Sequence, residues 1–109
     1  MLLGLLLVPS CGYTADAARG EVVAKVRCSP CHHLDSPSTH IGPSLLGVYG
    51  RKPSIEGVPF QLWSARSLEL WLRNPRAVKP NTKMQIPPLS RRDRQDIIAY
   101  LAQRASSLR

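Results

Sequence analysis

Cys28-Ser29-Pro30-Cys31-His32 decides the reading of this chain. Two thiols three residues apart on one helical turn can each add to a haem vinyl group, and the residue after them sets an imidazole beneath the iron. C-x-x-C-H is for that reason the attachment signature of a c-type haem. Three other readings share part of the pattern. A dithiol oxidoreductase needs the C-x-x-C but not the His, and usually follows a strand, which the residues before Cys28 do not suggest. A structural zinc site needs four ligands in closed geometry, yet the only further candidates nearby are His33 and His40, and there is no second Cys pair. A chance occurrence in an ordinary helical domain is the plainest alternative.

The chain has 109 residues, enough for one domain. Its start reads as a leader rather than as part of that domain. Leu2-Leu3-Gly4-Leu5-Leu6-Leu7-Val8 is an apolar run, too short for a membrane span, and Ala15-Asp16-Ala17 is an A-x-A cleavage pattern. Residues 1–17 are thus expected to be an export leader and residues 18–109 the folded domain. A basic segment ahead of the apolar run is missing. Val8-Pro9-Ser10-Cys11 loosely resembles a lipoprotein box, so lipidation at Cys11 is the second route and would tether the protein to a membrane. Either route sends the chain to the periplasm. Cys28 and Cys31 are then consumed by haem and Cys11 has no partner, so no disulfide is expected in the mature domain.

The formal charge is +8. Removing residues 1–17 takes away Asp16 and no Lys or Arg, which raises it to +9; two ionised haem propionates would return it to about +7. A domain this basic attracts acidic partners. Nucleic acid is not expected among them, because the basic residues are scattered and aromatic residues do not interleave with them.

Periodicity predicts three helices. The first runs from about Asp16 to Arg27, capped by Asp16, with Val22, Val23 and Val26 on one face, and it delivers Cys28 into the motif. The second runs from Ser67 to Asn74, with Ser67 as cap, Leu68, Trp71 and Leu72 buried, and Pro75 closing it. The third begins at a Ser90 cap with Asp93 in its first turn, buries Ile97, Ile98 and Leu101, and reaches about Arg104. Residues 35–59 hold four Gly and four Pro and read as irregular loop, and the proline-rich segment 78–89 also excludes regular structure. Such a chain has a marginal apolar core, which a haem buried among the loops would complete. No triad, phosphate loop or paired-carboxylate site stands out, so hydrolytic chemistry is unsupported.

With His32 on one face of the iron, the sixth ligand must reach the other. His33 is adjacent to His32 and cannot, and His40 lies only eight residues on. Met84 is the sole methionine outside the leader, in a loop that is an odd place for core packing, so it is the preferred distal ligand.

From Gly20 to about Ala102 the sequence resembles class I cytochrome c, the small soluble mono-haem type with His/Met ligation found in the bacterial periplasm. Gly20 and Tyr100 resemble its helix-crossing pair. Gly42-Pro43-Ser44-Leu45 resembles its G-P-x-L segment, Arg51 and Trp63 its Gly-Arg and Trp positions, and Asn74-Pro75 and Pro80-Asn81-Thr82-Lys83-Met84 the segments around its methionine ligand. The resemblance implies an all-α cytochrome c fold, three main helices with long loops wrapped around one haem c held by Cys28 and Cys31. It implies that the Pro43 carbonyl accepts the free ring N–H of His32, that Leu45 packs on the haem, and that Arg51 and Trp63 approach a propionate.

The departures carry expectations of their own. Ala24 stands where the family has an aromatic ring, which predicts looser packing against Ile97 and Tyr100. Trp71 replaces a Tyr whose hydroxyl points toward the methionine sulfur, and its indole N–H is a candidate substitute. Asn81 stands for a Gly, tolerable because Asn accepts a left-handed conformation. The stretch between Arg51 and Trp63 is shorter than in mitochondrial-type members.

With His32 and Met84 both on iron, the expected role is not enzymatic: a one-electron carrier in a periplasmic respiratory chain. Lys25, Arg27, Arg73, Arg76, Lys79 and Lys83 would form a face for acidic redox proteins, a donor dehydrogenase or cytochrome complex and an acceptor oxidase or reductase. The carrier is expected to be a monomer. Alternatives are a dedicated haem c subunit of one dehydrogenase or oxidoreductase complex, and a haem sensor or weak peroxidase in which Met84 dissociates.

Overall fold

The computed structural model describes Gly4 and residues 13–109. Apart from Gly4, the apolar run expected to be a leader lies outside the described residues, as does the lipidation expected at Cys11. The described chain is all-helical: α1 (Ala17–Arg27), α2 (Ala65–Arg73), the short α3 (Pro75–Val78) and α4 (Arg91–Ser107). Loops and turns make up the rest. Among the described residues no helix is long and apolar enough to cross a membrane.

Helix α1 is capped by Asp16, whose side chain accepts from the Arg19 N–H. The boundary expected after Ala17 thus falls inside the first turn of the helix. Its buried face also differs from the expected one. Val22 and Val26 are 62% and 68% exposed, whereas Gly20, Ala24 and Cys28 are buried and Val23 is half-buried against the core. The reason lies in the partner: α1 packs chiefly against α4, and a close crossing selects small residues over branched ones. A Cβ on Gly20 would stand 1.8 Å from the Asp96 carbonyl oxygen and 2.9 Å from the Ile97 nitrogen. The backbone of α4 therefore occupies the place of a side chain at residue 20. Ala24, Ile97 and Tyr100 are all buried, so the looseness expected from the missing ring at Ala24 does not appear as exposure.

Helix α2 starts two residues earlier than the pattern suggests, and its cap is Ser64 rather than Ser67. Ser64 accepts from the Ser67 N–H while the Ser67 hydroxyl accepts from the Ser64 N–H, so the two serines form a reciprocal capping box. Leu68, Trp71 and Leu72 are buried as expected. Asn74 then leaves the helix in an extended conformation and caps α3, with Pro75 in the first turn where its missing N–H costs nothing. This extra turn lies where the sequence indicated only a stop.

Helix α4, capped by Ser90 as expected, runs from Arg91 to Ser107, one turn past the expected end. Ile97 and Leu101 are buried and Ile98 packs at the edge of the core. Asp96, on the same helix, has no exposed surface. Among the described residues positive φ occurs only at glycine. Asn81 is therefore not left-handed, and the conformational tolerance expected of it is not used. Gly50 needs its φ of 85° for the reversal in which its N–H donates to the Trp63 carbonyl at 2.6 Å. Trp63 N–H donates to the Arg51 carbonyl at 2.9 Å, closing the short 51–63 loop.

Candidate haem site

The C-x-x-C-H stretch continues the end of α1. Cys28 N–H donates to the Ala24 carbonyl at 2.7 Å, and the Cys31 and His32 N–H groups return to the Cys28 carbonyl at 3.1 and 2.9 Å. One turn of chain thus carries both thiols and the imidazole. Cys28 is buried and Cys31 exposed. Burial, with a smaller contribution from Cys31, pushes the Cys28 thiol up to about 11. Thiol exchange needs a thiolate near neutral pH, so Cys28 is poorly set to attack a disulfide. Among the described residues no group of three or more His, Cys, Asp or Glu side chains converges as a metal site.

The loop that follows pins the imidazole. Gly42 N–H donates to the Cys31 carbonyl at 2.7 Å and Leu45 N–H to the His33 carbonyl at 2.9 Å, so residues 42–45 run alongside 31–33. That register brings the Pro43 carbonyl to 2.6 Å from His32 Nδ1. An acceptor there leaves Nε2 as the free ring nitrogen, which is the arrangement a metal-ligating imidazole uses. Gly42 makes the approach feasible: a Cβ there would lie 2.4 Å from His32 Cε1 and 2.8 Å from Nδ1. In the sequence Gly42 is only one letter of a motif. Its steric role needed the tertiary pairing, although a Gly before the acceptor proline was the available signal.

Ser44 was missed as well. It is buried, donates its hydroxyl to the Ser36 carbonyl and accepts from the Leu46 N–H. Arg51 donates through Nη2 to the Ser44 carbonyl at 2.9 Å and through Nη1 to the Leu46 carbonyl at 3.1 Å. Its guanidinium thus braces the loop that carries Pro43 and the half-buried Leu45. Trp63 is buried, 5.8 Å from Trp71 between ring centroids with 62° between the planes, and 5.7 Å from Phe60.

Trp71 links this aromatic group to the distal loop. Its Nε1–H donates to Met84 Sδ at 3.2 Å. Met84 is half-buried and packs at the edge of the core, with its own N–H on the Thr82 hydroxyl at 3.2 Å. The loop hangs from α3, because Lys79 N–H donates to the Pro75 carbonyl and Thr82 N–H to the Lys79 carbonyl. A thioether that already receives one hydrogen bond keeps a second lone pair for a metal.

The basic residues are less uniform than their charge suggests. Lys25 pairs with Glu21 at 3.0 Å and Arg73 with Glu69 at 3.3 Å, while Arg27, Arg76 and Lys83 are exposed and Lys79 is half-buried. His33 and His40 are exposed, with ring centroids 5.1 Å apart.

The residues present fit a covalently attached haem: two thiols on one turn, an imidazole whose far nitrogen is held, room beside it that only glycine leaves, and a thioether steadied from behind. Together with the all-helical fold they define a c-type cytochrome. A family model for cytochrome c matches residues 17–105. The cytochrome c of Gossypium barbadense is 34% identical over 99 residues, covering 81% of this chain and 89% of that protein. The cytochrome c of Theileria parva is 34% identical over 101 residues, covering 84% and 88%, and cytochrome c 2.1 of Caenorhabditis elegans is 36% identical over 96 residues, covering 79% and 86%. The chain belongs to the class I cytochrome c family. It binds haem c covalently, with its iron, and carries electrons.

Proposed function

We propose that this protein is an exported one-electron carrier of a respiratory chain, ligated by His32 and Met84 and exchanging electrons with acidic redox proteins. The observation that carries the ligation is the 3.2 Å contact from Trp71 Nε1 to Met84 Sδ. It holds the one thioether of the described domain in place, and a held thioether leaves no coordination position for substrate. Export is read from the apolar run and small residues of the leader, and the respiratory setting follows from it.

When bound, the haem supplies a one-electron couple, in which thioether ligation favours the ferrous form. The chain's own part is to keep the two ligands still. His32 is oriented through Nδ1 by the Pro43 carbonyl, and the loop bearing Pro43 is tied to residues 31–33 and braced by Arg51. Met84 is tied through Trp71, itself buried against Trp63. Cys28 and Cys31 hold the group covalently. Ligands held in this way would move little between oxidation states, which would favour fast outer-sphere transfer. Lys25, Arg27, Arg73, Arg76, Lys79 and Lys83 supply positive charge to steer a partner.

The test is a visible spectrum of the exported protein with a pyridine haemochrome assay. Covalent haem with a methionine-to-iron absorption band is expected. In Met84→Ala the haem should stay attached while the iron takes up carbon monoxide or imidazole. Carbon monoxide binding by the unsubstituted reduced protein at neutral pH would replace this reading with a sensor or peroxidase.

A further inference from the structure

Four residues ahead of α1, Tyr13 is fastened to the far end of the chain. Its hydroxyl lies 2.6 and 2.7 Å from the two carboxylate oxygens of Asp96. The Asp16 N–H donates to Asp96 Oδ1 at 2.8 Å and Arg19 Nη1 to Oδ2 at 2.7 Å, while Arg19 Nη2 reaches Asp93 at 2.6 Å. Arg92 Nε donates to the Tyr13 oxygen at 3.2 Å, and its guanidinium lies 5.5 Å from the centroid of the Tyr13 ring. At the middle of this network Asp96 has no exposed surface. A carboxylate out of water is sustained only by donors, and here two of its three donor residues, Tyr13 and Asp16, precede Ala17. Burial pushes the Asp96 carboxyl up, yet the Asp16 N–H, the Tyr13 hydroxyl and Arg19 bring it below its ordinary value.

A cut after Ala17 would remove the Tyr13 hydroxyl, the Asp16 N–H and the Asp16 cap of α1 together, leaving the buried carboxylate with Arg19 as its one hydrogen-bond donor and the Arg92 guanidinium 4.0 Å away. We propose that Tyr13 belongs to the mature protein, and that the leader is removed by hydrolysis of a peptide bond on the N-terminal side of Tyr13 rather than after Ala17. Water adds to one amide carbonyl there; the C–N bond breaks to give a carboxylate on the leader and a new α-amine on the domain. Ser10 and Gly12 supply small residues at the spacing a leader peptidase accepts. The Ala15-Asp16-Ala17 pattern is then the cap and first turn of a helix, not a processing site.

This inference rests on the export reading above, and its test separates the two. The full chain is expressed in a bacterium equipped for c-type haem attachment, and the haem-loaded protein is characterised by intact mass and N-terminal sequencing. The expected product lacks Met1 and the whole apolar run through Val8 and retains Tyr13. Haem-loaded protein beginning at Ala18 overturns the boundary while leaving export intact; a haem-free chain that still carries Met1 overturns both. Tyr13→Phe gives a second readout. It should leave haem content, spectrum and cleavage unchanged and lower Tm by about 4–8 °C, and an unchanged Tm would show that the contact does not hold the segment.

Discussion

The indole N–H of Trp71 points at the sulfur of Met84 across 3.2 Å, and the same indole is buried against Trp63. A hydrogen bond to the distal ligand is thus supplied by a rigid, packed side chain. In Trp71→Phe the ring survives and the donor is lost, which removes about 1 kcal/mol of hold on the thioether. Imidazole titration of the oxidised protein should show about fivefold tighter binding in the variant. Equal affinities would mean that the sulfur is held by packing alone.

Gly42→Ala places a methyl group against the His32 ring, at 2.4 Å from Cε1. The ring cannot retreat without losing Pro43, so the substitution should cost about 1–3 kcal/mol in guanidinium unfolding of the haem-loaded protein. It should also perturb the spectrum, because the strain falls on a ligand.

Gly20→Ala acts at the other end of the molecule. Its Cβ would overlap the Asp96 carbonyl oxygen at 1.8 Å, and backbone in the middle of a helix has no rotamer to give. About 3 kcal/mol of stability should be lost with the haem spectrum unchanged. A loss below 1 kcal/mol would show that α1 and α4 can separate freely.

Asp96 makes stability depend on pH in the acid range. Its folded pKa lies below the ordinary carboxylate value of about 4, because the Asp16, Tyr13 and Arg19 donors outweigh the burial that pushes it up. A depressed pKa stabilises the fold above the unfolded value, and the contribution disappears as pH falls through the folded one. Chemical denaturation between about pH 6 and 2 should therefore show a steeper loss for the native chain than for Asp96→Asn. Identical slopes would remove Asp96 from the account.

The exposed cations predict a salt effect. With an acidic partner the second-order electron-transfer rate should fall by an order of magnitude or more between about 10 mM and 200 mM salt, as the screening length shortens. Lys83→Glu should flatten that dependence without changing the spectrum, since Lys83 is exposed. A salt-independent rate would rule out this surface as a steering face.

What could be read along the chain was what depends on neighbours. The thiol spacing and His32, the helix patterns ending in buried Leu68, Trp71 and Leu72, and the elimination that leaves Met84 all concern residue types at short separation or residues that are the sole representatives of their chemistry. The Gly42-Pro43 pair was legible as a motif, and so was the possibility that an indole could serve the methionine. These features determine the cofactor, the helical class and the electron-carrier role by themselves.

Tertiary structure decided which of the plausible local choices prevail. Val22 and Val26 are apolar yet exposed, because α4 approaches the face that carries Gly20 and Ala24. Ser64 prevails over Ser67 as a cap because the two serines satisfy each other's backbone. Arg51 serves the backbone around Ser44, a use its position in a motif does not reveal. Asp96 carries no local sign that it is buried: its donors lie 77 to 83 residues away at Arg19, Asp16 and Tyr13. Burial of a charge is settled only when the chain folds back on itself, since solvent is excluded by segments that no short window contains, and for that reason the tie between Tyr13 and Asp96 is visible in three dimensions and not in the order of the residues.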